Sequence, residues 1–226
     1  MNRRTFDEMV QMGFHGFTSG NHAWDNKEVY GILESDTRLL RPANCLNPKS
    51  SPCPGKGWTI FRNKGQEIAV INLLGRVFMD PVNCPFEAVN EILEQIPPQT
   101  PILVDMHADA TSEKYAMGWH LDGKVSAVVG SHSHVQTADE RILPQGTAYI
   151  TDVGMTGSFD SVIGLRPAEI IKKFLTKRPI PTGAAKENPG ISCVVIKIGT
   201  NRKATSIERL RYTVEAEGLH DDKDLE

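Results

Sequence analysis

The chain has 226 residues, 39% hydrophobic and 23% charged, which is enough for one sizeable core and lies in the ordinary globular range. A formal net charge of -3 gives no basic field of the kind that sequence-independent binding to duplex DNA needs. No stretch approaches the roughly 18 apolar residues of a membrane span, and the opening MNRRTFDEMV lacks the apolar centre of a signal peptide, so a cytoplasmic protein with neither membrane nor duplex DNA as partner is expected.

Residues 4–12 carry Phe6, Met9 and Val10 at helical spacing and stop at Gly13, a residue suited to the position after a helix end. FHGFT (14–18) predicts a short strand, and residues 26–33 the next helix. After a proline- and glycine-punctuated loop (45–57) come the strands GWTIFRN (57–63) and EIAVINLL (67–74), then a helix over 86–95 that stops before Pro97-Pro98. The strands PILVDMH (101–107), KVSAVVGSH (124–132) and TAYITDV (147–153) follow, then a helix over 167–175 that begins on proline, a loop over 177–190 and the strand ISCVVIKI (191–198).

Several of these runs are continuously apolar, as in strands covered on both faces. The alternation argues for an α/β fold with layered sheets. One domain is expected over residues 1–212, and an acidic tail over 213–226 is expected to be solvated and partly disordered. Cys45, Cys53, Cys84 and Cys193 form no CxxC pair, so neither a zinc knuckle nor a disulfide framework is indicated.

Three strand ends gather the chemistry. Asn21 and His22 follow FHGFT, His107 closes PILVDMH, and His132 and His134 close KVSAVVGSHSH. Open α/β sheets collect their ligand sites at the C-terminal ends of strands. A single histidine there is ordinarily structural, whereas three converging ends favour a metal site over a structural cluster. On an extended chain, residues i and i+2 point to one side, so His132 and His134 are expected to share a small volume with Ser133 turned away. Paired imidazoles suit zinc, manganese or iron.

SGNHAWD and GSHSHV look like the GNH[DE] and G-H-x-H signatures of calcineurin-like metallophosphoesterases. The longer strings SGNHAWDNKE, LLRPANC, INLLGR, HADATSEK and VVGSHSHVQTADERILPQGTAYITDVGMTG resemble the YmdB-like family of bacterial metallophosphoesterases, from about residue 5 to about residue 210. The resemblance implies a sandwich of two packed mixed sheets flanked by helices, acting on cyclic nucleotides such as 2′,3′-cyclic AMP. It also implies two metal ions, commonly iron or manganese. By matching motif, Asn21, His107 and His132 would ligate one metal and His134 the other, while His22 would protonate the leaving oxygen. Related enzymes can assemble into homo-oligomers.

Family members begin with a strand ending in Gly-Asp and a second ending in Asn-Gly-Glu-Asn, which supply an aspartate ligand and a bridging glutamate. Neither motif is present, and the chain opens inside the helix expected after that second strand. The expectation is an N-terminally truncated fold that is unstable or aggregation-prone because interior strands are absent, and whose two-metal site cannot form from this chain alone. Asp105, Asp109, Glu113, Asp152 and Asp160 are read as hydrogen-bonding partners behind the ligands rather than replacements. Asp25 either orients His22 or caps the next helix, and the cap is preferred.

Trp24 and Trp119 could stack on a base or pack in the core. Arg41 and Arg76 could hold a phosphate or form surface salt bridges. His15 and His220 are not read as ligands, and Lys172-Lys173 and Lys177-Arg178 are read as a solvated face. Three functions remain: a metal-dependent phosphodiesterase, which is preferred, a non-catalytic binding or regulatory protein that keeps the fold, and a single-metal interaction module.

Overall fold

The computed structural model describes residues 1–213. The expected tail therefore lies outside the described residues, save Thr213, which ends the last strand. Helix α1 (Arg3–Gln11) starts where the Asn2 side chain accepts a bond from the Thr5 N–H, satisfying one of the amides a helix start leaves free. Strand β1 (Phe17–Thr18), helix α2 (Glu28–Ser35) and strand β2 (Leu39–Leu40) follow, and β1 and β2 form a parallel pair. Phe6, Phe17, Ile32 and Leu39 close a core of their own under these elements.

A six-stranded sheet organises the middle of the chain. It contains β3 (Trp58–Asn63), β4 (Gln66–Leu74), β5 (Ile102–His107), β6 (Ala127–Ser131), β7 (Arg141–Ile142) and β8 (Ala148–Ile150), in the order β3-β4-β5-β6-β8-β7. Lys64 and Gly65 both take positive φ between β3 and β4, the geometry that closes a two-residue hairpin. The strands β4, β5, β6 and β8 run parallel, so their C-terminal ends lie along one edge. Helices α3 (Pro85–Leu93) and α4 (Thr111–Leu121) connect them. Ile71, Leu73, Val104, Met106, Val89, Met117 and Leu121 form the main core.

Strands β9 (Thr156–Ser158), β10 (Pro189–Ile198) and β11 (Ala204–Thr213) form a second sheet, with α5 (Pro167–Thr176) between β9 and β10. Its pairings are antiparallel, where a mixed sheet was expected. The two sheets meet through a small cluster of Ala127, Ala148 and Ala204, flanked by Ile196 and Ile207. The predicted strands and helices are present, although 14–18 shrinks to Phe17–Thr18.

Two sizeable elements had no predicted counterpart. The buried face of α4 includes Glu113 and Lys114 beside Met117, Gly118 and Leu121, so it has no apolar stripe to recognise. Glu208, Arg209 and Arg211 interrupt the apolar alternation of β11, which is held by its ladder to β10. All four cysteines are free. Among the described residues no helix is long and apolar enough to cross a membrane.

Candidate metal centre

The site assembles at the C-terminal edge of the parallel strands. The segment after β1 is fixed by Ser19, whose N–H donates to Asn72 Oδ1 (3.2 Å) and whose hydroxyl donates to Leu40 O (2.8 Å). Gly20 then lets the backbone pass against the His107 ring, where a Cβ would lie 2.4 Å from Cε1 and Nε2. This approach brings Asn21 Oδ1 to 2.9 Å from His107 Nε2, and His132 Nδ1 lies 3.1 Å from the same nitrogen.

Two ligands at right angles on a shared ion, each about 2.1 Å away, lie about 3.0 Å apart. His107 Nε2 therefore stands from the amide oxygen and from the second imidazole nitrogen at the spacing of neighbouring ligands. Their chemistry, borderline nitrogen with neutral oxygen, suits a first-row transition ion. Among the described residues no group of three or more His, Cys, Asp or Glu side chains gathers in this way; the nearby Asp109 Oδ2 stands 3.5 Å from His132 Nε2.

Burial, helped by the neighbouring His132 and Lys114, lowers His107 to about 4. The ring is thus neutral near pH 7, the form that offers a lone pair. Burial also raises Asp105 to about 6, against the bonds from Thr18 and Ser131 that favour its ionised form. The Ser131 hydroxyl donates to Asp105 Oδ1 (2.8 Å) and lies 3.0 Å from His107 Nδ1.

The premise of an extended His-Ser-His segment fails. Strand β6 stops at Ser131, and His132 and His134 take φ of 116° and 62°. A fully buried pair supports this turn: Lys114 Nζ reaches Ser131 O (2.9 Å) and Asp152 Oδ2 (3.0 Å), and the latter also accepts from Ser133 N–H (2.9 Å). The two imidazoles have different partners as a result. His134 is exposed, with Nδ1 3.0 Å from Ile163 O. Donation to that carbonyl leaves its Nε2 as the free nitrogen.

His22 is also exposed, and its Nδ1 lies 2.8 Å from Asp25 Oδ2. The preference for Asp25 as a helix cap is thereby corrected. Asn26 Oδ1 accepts from Glu28 N–H instead, and Asp25 orients His22.

The other acids divide by task. Asp105 stands behind His107 through Ser131, Asp152 holds the turn, and Glu113 accepts from the N–H groups of Arg76 and Val77. Asp160 accepts from Asn188, away from the cluster. Arg41 is buried and donates to Pro42 O and Pro54 O, which is neither of the roles expected of it, while the Arg76 side chain is exposed. Trp24 packs beside Tyr30 and the Phe6 core. Trp119 lies under Arg141, eight residues and about 12 Å along α4 from its first turn. His220 lies outside the described residues. The sequence reading passed over Ser131 and Lys114; the first adjoins the His-Ser-His motif, and the second carried no signal.

A family model described as a YmdB-like protein matches residues 1–210. The chain belongs to the YmdB-like family. It is 46% identical over 212 residues to the 2′,3′-cyclic-nucleotide 2′-phosphodiesterase of Bacillus subtilis (strain 168), an alignment covering 93% of this chain and 79% of that protein. Among solved structures, a hypothetical protein from Thermus thermophilus superposes with a TM-score of 0.87 at 38% identity, covering 94% of this chain and 82% of that one. A phosphatase from Mycoplasma pneumoniae gives 0.86 at 32%, covering 94% and 77%. The family is one of phosphoesterases, and the fold is the calcineurin-like α/β sandwich expected from the motifs.

Proposed function

We propose that the chain is a metal-dependent phosphodiesterase that hydrolyses cyclic nucleotides such as 2′,3′-cyclic AMP. The observation that carries this reading is the approach of Asn21 Oδ1 (2.9 Å) and His132 Nδ1 (3.1 Å) to one nitrogen, His107 Nε2. The name of the Bacillus relative supports the substrate class. Asn21, His107 and His132 would hold one divalent ion, iron or manganese, whereas the free Nε2 of His134 would offer a second ion one ligand, short of a complete set. Such ions, when bound, supply charge neutralisation at the phosphoryl oxygens and a lowered pKa for the attacking water.

The chain's own residues do the rest. Donation from His22 Nδ1 to Asp25 leaves Nε2 to carry the proton that the departing ribose oxygen needs. Asn21, next in sequence, ties that donor to the ligand set. Gly20 holds His107 at one distance, and the Lys114–Asp152 pair fixes the turn that presents His132.

A non-catalytic metal-binding or regulatory protein is the second reading. It is favoured by the lack, among the described residues, of three or more His, Cys, Asp or Glu side chains grouped to hold a metal ion. Calorimetric titration with Mn²⁺ tests the shared premise. Saturable binding in the parent, abolished in both His107→Ala and His132→Ala, is expected. A parent that binds no metal, or variants that bind as it does, would remove the reading.

A further inference from the structure

We infer that Asp105 and Ser131 form a relay that fixes the tautomer of His107 and so aims its Nε2 lone pair at Asn21 and His132. Both are positioning residues, and the inference rests on the metal-centre reading above. Asp105 is only 8% exposed, yet no Lys or Arg pairs with it among the described residues; the nearby Lys114 is committed to Asp152. A carboxylate buried without a cation is costly, so its retention calls for a use. Thr18 and Ser131 are its hydrogen-bond donors.

The geometry supplies that use by counting hydrogens. Ser131 has one hydroxyl hydrogen and gives it to Asp105 Oδ1 at 2.8 Å. Towards His107 Nδ1, 3.0 Å away, its oxygen can therefore only accept. Nδ1 must carry the ring hydrogen, and Nε2 is left with a lone pair. That nitrogen faces Asn21 Oδ1 at 2.9 Å and His132 Nδ1 at 3.1 Å. Acceptors keep such spacing when a cation or a shared proton lies between them. The Gly20 backbone packs against the same ring, where a Cβ would lie 2.4 Å from Nε2.

Two measurements on the same variants test the relay. In metal-free protein, ¹⁵N shifts of the His107 ring report which nitrogen is protonated, and calorimetry reports Mn²⁺ affinity separately. The parent is expected to show Nδ1–H. Ser131→Ala should lose that preference and bind Mn²⁺ about 10–100-fold more weakly, while Ser131→Thr, which keeps the hydroxyl, should restore both. A parent with Nε2–H, or a Ser131→Ala variant that keeps Nδ1–H with parental affinity, overturns the inference. Failure of the parent to bind Mn²⁺ would instead strike the metal reading, because the tautomer is read without metal.

Discussion

Gly20 sets the tolerance of the site, since a side chain there would meet the His107 ring at 2.4 Å from Cε1 and Nε2. Gly20→Ala must therefore move either the imidazole or the segment that carries Asn21. A displacement near 1 Å in such a constellation costs on the order of 100-fold in rate. Gly20→Ala is expected to lose about that much in kcat/KM on 2′,3′-cyclic AMP while its circular dichroism stays parental; parental kcat/KM would show that the ring position is not critical.

Where strand ends and motif spacing coincide, the sequence singled out Asn21, His107 and His132, the three side chains that the structure brings together. Ser131 and Lys114 were not, because a hydroxyl or an ammonium group acquires its role only from partners distant in sequence. Lys114 sits 38 residues from Asp152. The task of Asp25 was legible only as a choice between two local bonds, and the fold settled it for His22.

At the scale of elements, the turn after β6 depends on α4 and β8. Lys114 and Asp152 are each 1% exposed and bonded at 3.0 Å. Removing one partner of a buried pair leaves an uncompensated charge, at a cost of about 3–5 kcal/mol. Lys114→Met should lower urea-unfolding stability by that amount, and a loss below about 1 kcal/mol would mean that water reaches Asp152. Gly130 is equally constrained, because a Cβ would press into Thr151 O.

A carboxylate on the segment before β7 gives a pH signature. Burial alone would raise Asp139, but bonds from Thr137, Thr151 and Tyr115 outweigh it and hold the carboxyl below its ordinary value. A depressed carboxyl adds stability above the unfolded pKa of about 4 and loses it as pH falls through the folded value. Asp139→Asn is expected to be less stable than the parent at pH 7, with the gap closing in acid. A gap independent of pH would assign its effect to shape. The sequence hid α4 and β11 for related reasons: charged residues occupy the inner face of one and interrupt the alternation of the other, so tertiary pairing rather than pattern defines them.

The described residues form two larger sheets and an N-terminal unit in which the β1–β2 pair covers a small core, and the joint between the larger sheets is narrow. Ala127, Ala148 and Ala204 make close contact because they are small. Ala204→Leu adds volume where there is none, with an expected loss of about 1–3 kcal/mol by thermal or urea unfolding. An unchanged midpoint would mean the sheets yield without cost. Layering was legible from the apolar runs, because strands covered on both faces leave that mark. The antiparallel second sheet was not, since the direction of a strand is set by its connections.

The central claim joins this architecture to phosphodiester hydrolysis, with His22 as the proton donor beside the metal ligands. Its most direct test is turnover of 2′,3′-cyclic AMP by metal-depleted protein before and after Mn²⁺ is restored, in the parent and in His22→Ala. The account predicts turnover only with metal, and a kcat about 10²–10⁴-fold lower in the variant at unchanged Mn²⁺ affinity. Turnover without metal, equal rates in parent and variant, or a metal-loaded parent that leaves the substrate intact would contradict it.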